Sequence, residues 1–98
     1  MSFHIYFSPE ADNDMAVLER YIRDELKSPY TASQYMTDLE DVIQTLSINA
    51  GIISSNKYVR AKFGDDARRI IFKKMDIIFT IEDDIVYIKR IIPGSLVY

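Results

Sequence analysis

Apolar residues in the first half of the chain follow two different periods. Residues 3–7 alternate apolar with polar or mixed side chains, as in a short strand. In residues 9–27 and again in 31–48, apolar residues recur every three or four positions, which predicts two amphipathic helices. The two stripes consist of Ala11, Met15, Leu18, Ile22 and Leu26, and of Ala32, Tyr35, Met36, Leu39, Val42, Ile43 and Leu46. Because only residues 28–30 separate the helices, we expect them to pack as antiparallel neighbours.

Local signals mark where the first helix begins and ends. Ser8 is a favourable N-cap, and Pro9 suits the first helical position. Acidic side chains follow in the first turns, where the helix dipole favours negative charge. A second Ser-Pro pair at residues 28–29 predicts the break between the helices.

The second half of the chain is rich in β-branched and aromatic residues. It predicts four strands, at residues 58–63, 68–73, 77–82 and 85–92. Glycine and acidic residues at 64–66, and the acidic pair at 83–84, predict turns between them. The last two strands are apolar almost throughout, so we expect them at the centre of the sheet.

Together these elements predict a single α+β domain over residues 1–98, in the order β-α-α-β-β-β-β. An N-terminal strand precedes an antiparallel helix hairpin, and the hairpin packs on one face of a C-terminal antiparallel sheet of four or five strands. The other face of the sheet is expected to stay uncovered.

Composition excludes several classes of protein. The chain has no cysteine, so a disulfide framework and a cysteine-based metal site are both excluded. No signal peptide and no membrane-spanning stretch is visible, which predicts a cytoplasmic protein without a membrane partner. The acidic pairs at 65–66 and 83–84 are typical of turns, so we predict no metal and no cofactor.

The net charge of −3 is unevenly distributed along the chain. Residues 1–50 carry three basic and nine acidic side chains, whereas residues 51–98 carry nine basic and six acidic ones. This asymmetry favours a molecule with two electrically different faces, and simple solvation of each half is the alternative.

A string of short motifs runs along the chain: Phe7-Ser8-Pro9-Glu10-Ala11, Tyr21-Ile22, Arg69-Ile70-Ile71-Phe72, Ile78-Phe79 and Val86-Tyr87-Ile88-Lys89-Arg90-Ile91-Ile92, together with the second helical stripe. In these motifs and in its element order the chain resembles the RelE/ParE superfamily, the toxins of bacterial toxin–antitoxin (plasmid stabilisation) systems. The resemblance covers nearly the whole chain.

The resemblance implies a toxin that a small cognate antitoxin neutralises. RelE-like members cleave mRNA on the ribosome without a metal, whereas ParE-like members inhibit DNA gyrase and are not enzymes. Gyrase and the ribosome are therefore the alternative targets, and a homodimer is an open alternative for the assembly. A third alternative is a non-toxic adaptor domain that kept the fold.

Five basic residues are candidates for binding a partner or RNA: Arg60, Lys62, Arg69, Lys73 and Arg90. Arg60 and Lys62 alternate along the predicted strand 58–63, which places them on one face, and Lys73 is expected on the same face as Arg69. The resemblance matches Arg69 to the arginine that leads the family's middle strand, and Arg90 to the arginine of its closing strand. The same cations could instead pair with carboxylates or solubilise the sheet.

The C-terminal tail departs from the pattern of the RNA-cleaving members. Pro93 stands where the resemblance expects His or Tyr, and residues 95–97 replace the expected arginines. Proline and leucine neither transfer a proton nor neutralise a phosphate. Arg69, Arg90 and Tyr98 remain the candidate catalytic residues, but the tail favours a ParE-like or catalytically weakened toxin. His4, the single histidine, is predicted to be structural.

Overall fold

A computed structural model describes residues 2–96 and divides them into four strands and four helices. The strands are β1 (His4–Phe7), β2 (Arg68–Phe72), β3 (Met75–Glu82) and β4 (Ile85–Pro93). The helices are α1 (Pro9–Leu26), α2 (Pro29–Gln44), α3 (Leu46–Asn49) and α4 (Lys57–Phe63), and 3₁₀ turns occupy Ala50–Ile52 and Gly94–Leu96.

α1 begins and ends as the sequence predicts. The Ser8 hydroxyl accepts a hydrogen bond from the Ala11 amide at 2.9 Å, and Pro9 occupies the first turn. The helix ends at Lys27, whose φ of 52° is left-handed and whose amide donates to the Arg23 carbonyl. Ala11, Leu18 and Ile22 are the buried residues of the α1 stripe.

The second predicted helix is shorter than its apolar stripe suggests. Ser28 caps α2 through the Thr31 amide at 3.3 Å, so the helix begins at Pro29 instead of residue 31. It ends at Gln44, where the Thr45 hydroxyl donates to the Val42 carbonyl at 2.6 Å. This local bond competes with the helical ladder, and the chain continues as the separate turn α3.

The sheet has the order β1-β4-β3-β2, so β3 and β4 are central, as predicted. The C-terminal strands β2, β3 and β4 are antiparallel, as predicted, and β1 joins the same sheet parallel to β4. The helices lie between β1 and the other strands in the sequence, so no hairpin forces β1 to be antiparallel to its neighbour. The alternation of apolar and polar residues in β1 does not indicate whether the strand pairs parallel or antiparallel.

The predicted strand at residues 58–63 is wrong, because this segment is the helix α4. The Asn56 side chain caps it by accepting from the amides of Tyr58 at 2.9 Å and Val59 at 3.4 Å. Gly64 ends the helix with a φ of 115°. Val59 and Phe63 are four residues apart, a spacing that places both on one face of a helix and equally on one face of a strand, so this pair does not distinguish the two.

α4 also corrects the prediction of an uncovered sheet face. α1 and α2 pack on one face, in a core that includes Leu39, Ile43, Phe79 and Ile88. A second, smaller core on the opposite face joins α4 to the sheet. It comprises Val59, Phe63, Ala67, Ile78 and Ile92. Across residues 2–96, no helix has the length and apolar character needed to cross a bilayer.

Candidate functional site

An apolar groove runs along one side of α1, with a volume of about 630 Å³. We call it the α1 groove. Its first wall is the α1 face that carries Asp14, Val17, Leu18, Tyr21 and Ile22. Its second wall is formed by the β2–β3 turn and the end of β4, and α2 contributes one aromatic ring. These residues are Lys73, Lys74, Met75, Ile91, Pro93 and Tyr35.

The floor of the groove is buried, but its α1 rim is not. Leu18, Ile22 and Ile91 belong to the main core. Val17 and Tyr21, one helical turn apart, are 50% and 58% exposed. Two large apolar side chains side by side at the edge of a groove form a surface suited to a macromolecular partner.

The β2–β3 turn places two lysines at one end of the groove. β2 ends at Phe72, so Lys73 lies in the turn with a left-handed φ of 55° and not on the Arg69 face of the strand, as we expected from the sequence. The Lys73 ammonium lies 4.7 Å from the centroid of the Tyr35 ring, which itself packs edge-on against Phe72. Burial raises the pKa of the Tyr35 hydroxyl above its ordinary value.

At the other end of the groove, Asp14 binds Arg90 and the backbone of β4. Its two carboxylate oxygens accept from Arg90 Nε at 2.7 Å and Nη2 at 3.0 Å. The Ile91 amide also donates to Asp14 Oδ2, at 2.9 Å. The hydrogen bond to Asp14 is the main cause that raises the pKa of Arg90. The Asp14 side chain is only 11% exposed, so these bonds are largely shielded from water.

Asp14 occupies this position because β1 is short. β1 ends at Phe7, and the outer edge of β4 beyond that point has no neighbouring strand. Ser8 forms the next hydrogen bonds to this edge of β4. Its amide donates to the Ile88 carbonyl at 3.0 Å, and its hydroxyl donates to the Lys89 carbonyl at 2.9 Å. Asp14 then accepts from the Ile91 amide, so the first turns of α1 close this edge.

A bulge in β4 sets the positions of the residues around Arg90. Ile78 pairs with Arg90 and the next residue, Phe79, pairs with Ile88, so β4 has one extra residue here. As a result both Ile88 and Ile91 reach the main core, three residues apart.

Arg69 makes a second arginine–carboxylate pair on the α4 side of the sheet. Its Nη1 donates to Asp76 Oδ2 at 2.9 Å, and the Asp76 side chain is 3% exposed. The backbone at Gly94 lies against the same carboxylate: a Cβ at residue 94 would be 3.0 Å from Asp76 Oδ1. The sequence reasoning identified Arg69 but not Asp76, which lies seven residues further along the chain.

The structure does not gather the five predicted binding residues at one place. Lys73 lines the α1 groove and Arg90 is bound at its end. Arg69 pairs in register with Ile78, on the side that α4 covers. Arg60 and Lys62 lie on α4, where residues two apart point about 200° apart, so the shared face predicted for them is wrong.

The cations of α4 have local partners. Arg60 donates to the Ser55 hydroxyl at 2.6 Å, and Lys62 donates to the Leu96 carbonyl at 3.1 Å. Tyr98, the remaining catalytic candidate, lies outside the described residues. Within residues 2–96, no three His, Asp or Glu side chains are grouped as metal ligands.

Comparison with known proteins now defines the class. The family of ParE toxins of type II toxin–antitoxin systems, parDE, matches residues 5–98. The chain belongs to this family, and it is therefore a toxin of the type II toxin–antitoxin class. A search of curated proteins gives no match.

Two solved structures show the same fold at low sequence identity. A chain of the chromosomal ParDE system from P. aeruginosa is 15% identical, with a TM-score of 0.76 over 94% of this chain and 96% of that one. A chain of the toxin–antitoxin complex RelBE2 from Mycobacterium tuberculosis is 14% identical, with a TM-score of 0.62 over 95% of this chain and 99% of that one.

Proposed function

We propose that this toxin acts by binding a protein target rather than by cleaving RNA, and that a small antitoxin binds and neutralises it. DNA gyrase is the target that the ParE-like resemblance suggests. Antitoxin and gyrase are both cytoplasmic, so the proposal assigns the chain to the cytoplasm. The observation that carries the proposal is that both family-matched arginines, Arg69 and Arg90, are neutralised by shielded carboxylates.

Metal-independent RNA cleavage needs cations that can reach a phosphate and a side chain that transfers a proton. Arg90 instead uses Nε and Nη2 to bind Asp14, and Arg69 binds Asp76. Removing an arginine from a shielded carboxylate leaves that charge without compensation, which is unfavourable. Pro93, at the position expected for His or Tyr, lines the groove and has no proton to transfer.

The partner side of the proposal rests on the α1 groove and on the relatives. The groove presents exposed apolar side chains, which a protein partner would remove from water. The two solved relatives are a ParDE system and a RelBE2 toxin–antitoxin complex. A protein antitoxin is therefore the partner that we assign to this chain.

Three assays on the purified chain and its gene test the proposal. Inducible expression should arrest growth, and co-expression of the small neighbouring reading frame should restore it. Purified chain should inhibit gyrase supercoiling of relaxed plasmid in a dose-dependent manner, and prior mixing with the neighbour's product should reverse the inhibition. A ribosome assay should show no mRNA cleavage.

Each contrary result has a distinct meaning. Ribosome-dependent mRNA cleavage that is lost in Arg69→Ala would replace the proposal with the RelE-like mechanism. Normal growth under strong expression, together with undisturbed supercoiling, would leave a non-toxic adaptor that retained the fold.

A further inference from the structure

We propose that a recess between the start of α1 and the end of α2 holds the toxin's target, and that it receives an arginine side chain from a basic surface of that protein. The inference rests on the proposed function, in which DNA gyrase is the target, and it adds the contact surface and the chemistry that this surface recognises.

The recess lies where the two long helices meet the end of β1, and it has a volume of about 370 Å³. We call it the hairpin recess. Its apolar floor belongs to the main core and consists of Phe7, Met15 and Ile43. Its rim is polar and exposed, and consists of Asp12, Glu40, Asp41 and Gln44. The hairpin recess shares no lining residue with the α1 groove, so the two are separate surfaces.

The negative charge of the hairpin recess has no counter-charge beside it. No lysine, arginine or histidine lines the recess, and α2 contains no basic residue. Within residues 2–96, every ion pair is formed by other carboxylates, so Asp12, Glu40 and Asp41 have no ion-pair partner there. Like charges held around one recess repel each other, and a cation supplied by a partner would relieve that repulsion.

An arginine side chain matches both the floor and the rim. Its methylene stem covers apolar surface while its charged end keeps polar contacts. The planar guanidinium binds carboxylates through paired hydrogen bonds, whereas the lysine ammonium is a strongly hydrated point charge. A volume of about 370 Å³ is near the lower limit of ligand pockets, so the recess accommodates a side chain and not a whole helix.

An exposed apolar side chain extends this surface beyond the recess. Ile48 is 72% exposed and lies four residues after Gln44, and Thr45 between them keeps helical dihedral angles. Residues four apart on a helical path are neighbours, so Ile48 lies next to the rim. A partner that fills the recess therefore also covers Ile48, and this combination of a charged anchor with apolar contact is common in protein interfaces.

The sign of the charge favours the target over the antitoxin as the source of the arginine. Proteins that act on DNA carry basic surfaces. The first half of this chain, with three basic and nine acidic side chains, complements such a surface. The α1 groove instead carries Lys73 and Lys74, so it differs from the hairpin recess in charge as well as in position.

The experiment uses the full chain and, as its probe, gyrase holoenzyme assembled from its two subunits. The measured quantity is the toxin concentration that halves supercoiling of relaxed plasmid. Glu40→Lys/Asp41→Lys should raise this concentration about 30-fold or more, because like charges would then meet across the interface. Glu40→Gln/Asp41→Asn, which removes the charge and keeps the shape, should raise it about fivefold. Calorimetric titration of gyrase with each variant should give the same order of affinities.

A matched control places the same charge change elsewhere on the surface. Asp24 and Glu25 form an exposed acidic pair on α1, outside the hairpin recess. Asp24→Lys/Glu25→Lys should inhibit within about threefold of the parent chain. Glu40→Gln/Asp41→Asn should melt at the parent temperature or above it, since like charges are removed, so its weaker inhibition is not a loss of fold.

A second readout identifies the occupant. All of these variants should bind the purified product of the small neighbouring reading frame within about threefold of the parent chain. If the recess variants lose that binding to the same extent as they lose inhibition, the occupant is the antitoxin and the inference is overturned. If the chain alone is an oligomer that Glu40→Lys/Asp41→Lys dissociates, the occupant is a second copy and the inference is again overturned.

The remaining outcomes separate the inference from the function on which it rests. If the parent chain leaves supercoiling undisturbed, gyrase as the target fails, and the inference fails with it. If the parent chain inhibits gyrase and the recess variants inhibit equally well, the hairpin recess is not the contact surface, while the proposed function stands.

Discussion

Replacing Asp14 by alanine removes a polar contact between α1 and the end of β4. Three hydrogen bonds disappear: two charge-assisted bonds from Arg90 and one from the Ile91 amide. The Asp14 site is 11% exposed, so water has little access to the orphaned amide, and such an amide costs about 1–3 kcal/mol. Arg90 is 40% exposed and can regain water, so we assign its lost pair about 1 kcal/mol.

The sum is an expected loss of about 3 kcal/mol in the free energy of unfolding for Asp14→Ala. Asp14→Asn keeps an oxygen that can accept from the Ile91 amide and loses mainly the arginine pair, so its expected loss is about 1 kcal/mol. Asp12→Ala is the matched control on the same helix. It removes a carboxylate from the first turn and should cost about 0.5 kcal/mol, the size of a helix-dipole effect.

Urea denaturation followed by circular dichroism at neutral pH measures all three losses on one scale. The slope of free energy against urea should stay constant, since the surface exposed on unfolding does not change. The reasoning is refuted if Asp14→Ala costs no more than Asp12→Ala. Equal losses for Asp14→Ala and Asp14→Asn would refute the role given to the Ile91 amide.

Three further substitutions test other parts of the structure. Because burial raises the pKa of the Tyr35 hydroxyl, the folded state disfavours its ionised form. The stabilising contribution of Tyr35 to the free energy of unfolding is therefore fully present below pH 10 and is lost as the pH rises above that value. Denaturation between pH 8 and 11 should show a steeper loss in the parent chain than in Tyr35→Phe; parallel curves would contradict this. Gly94→Ala should cost about 1–3 kcal/mol by crowding Asp76, whereas Gly51→Ala, whose nearest contact would be 3.5 Å, should cost less; equal melting temperatures would contradict the crowding. Asn56→Ala should cost about 1 kcal/mol through loss of the α4 cap, measured by thermal unfolding, and an unchanged midpoint would show that α4 does not depend on that cap.

The sequence predicts most of the elements because their signals are local. The Ser-Pro pairs at 8–9 and 28–29 cap both long helices through hydrogen bonds within three residues. The apolar runs of β3 and β4 indicate burial on both faces, and both strands are central. Signals of this kind need no knowledge of what lies elsewhere in the chain.

The predicted strand at 58–63, which is part of the helix α4, shows where local signals conflict. Arg60 and Lys62 frame a small apolar residue in a pattern that also suits a strand. The Asn56 cap favours the helix. The four-residue spacing of Val59 and Phe63 does not decide, because it keeps both side chains on one face of a helix or of a strand. A segment of seven residues is too short for its apolar period to separate a helix from a strand. The packing of α4 on Ile78 and Ile92 is a tertiary contact that the segment itself does not encode.

The site depended even more on distant contacts. Asp14 and Arg90 lie 76 positions apart, and nothing in either segment indicates their pairing. Val17 and Tyr21 lie beside the buried stripe of α1, a detectable signal, but only the position of the β2–β3 turn makes them the rim of a groove. The role of the five candidate cations in binding stays a prediction, and the structure distributes them over the α1 groove, the α4 side of the sheet and α4 itself.

The carboxylates of Asp14 and Asp76 are central to the proposal of protein binding and to the argument against RNA cleavage. The superfamily resemblance places Arg69 and Arg90 where RNA-cleaving members use their cations. Asp76 and Asp14 bind those arginines here, and Asp14 also closes the edge of β4 beside the groove. A scaffold whose strand arginines serve the fold, and whose nearby groove is apolar with lysines at one end, is suited to holding a protein segment. On the function that we propose, the positions of these two carboxylates, more than the number of basic residues, decide whether the strand arginines can reach a phosphate.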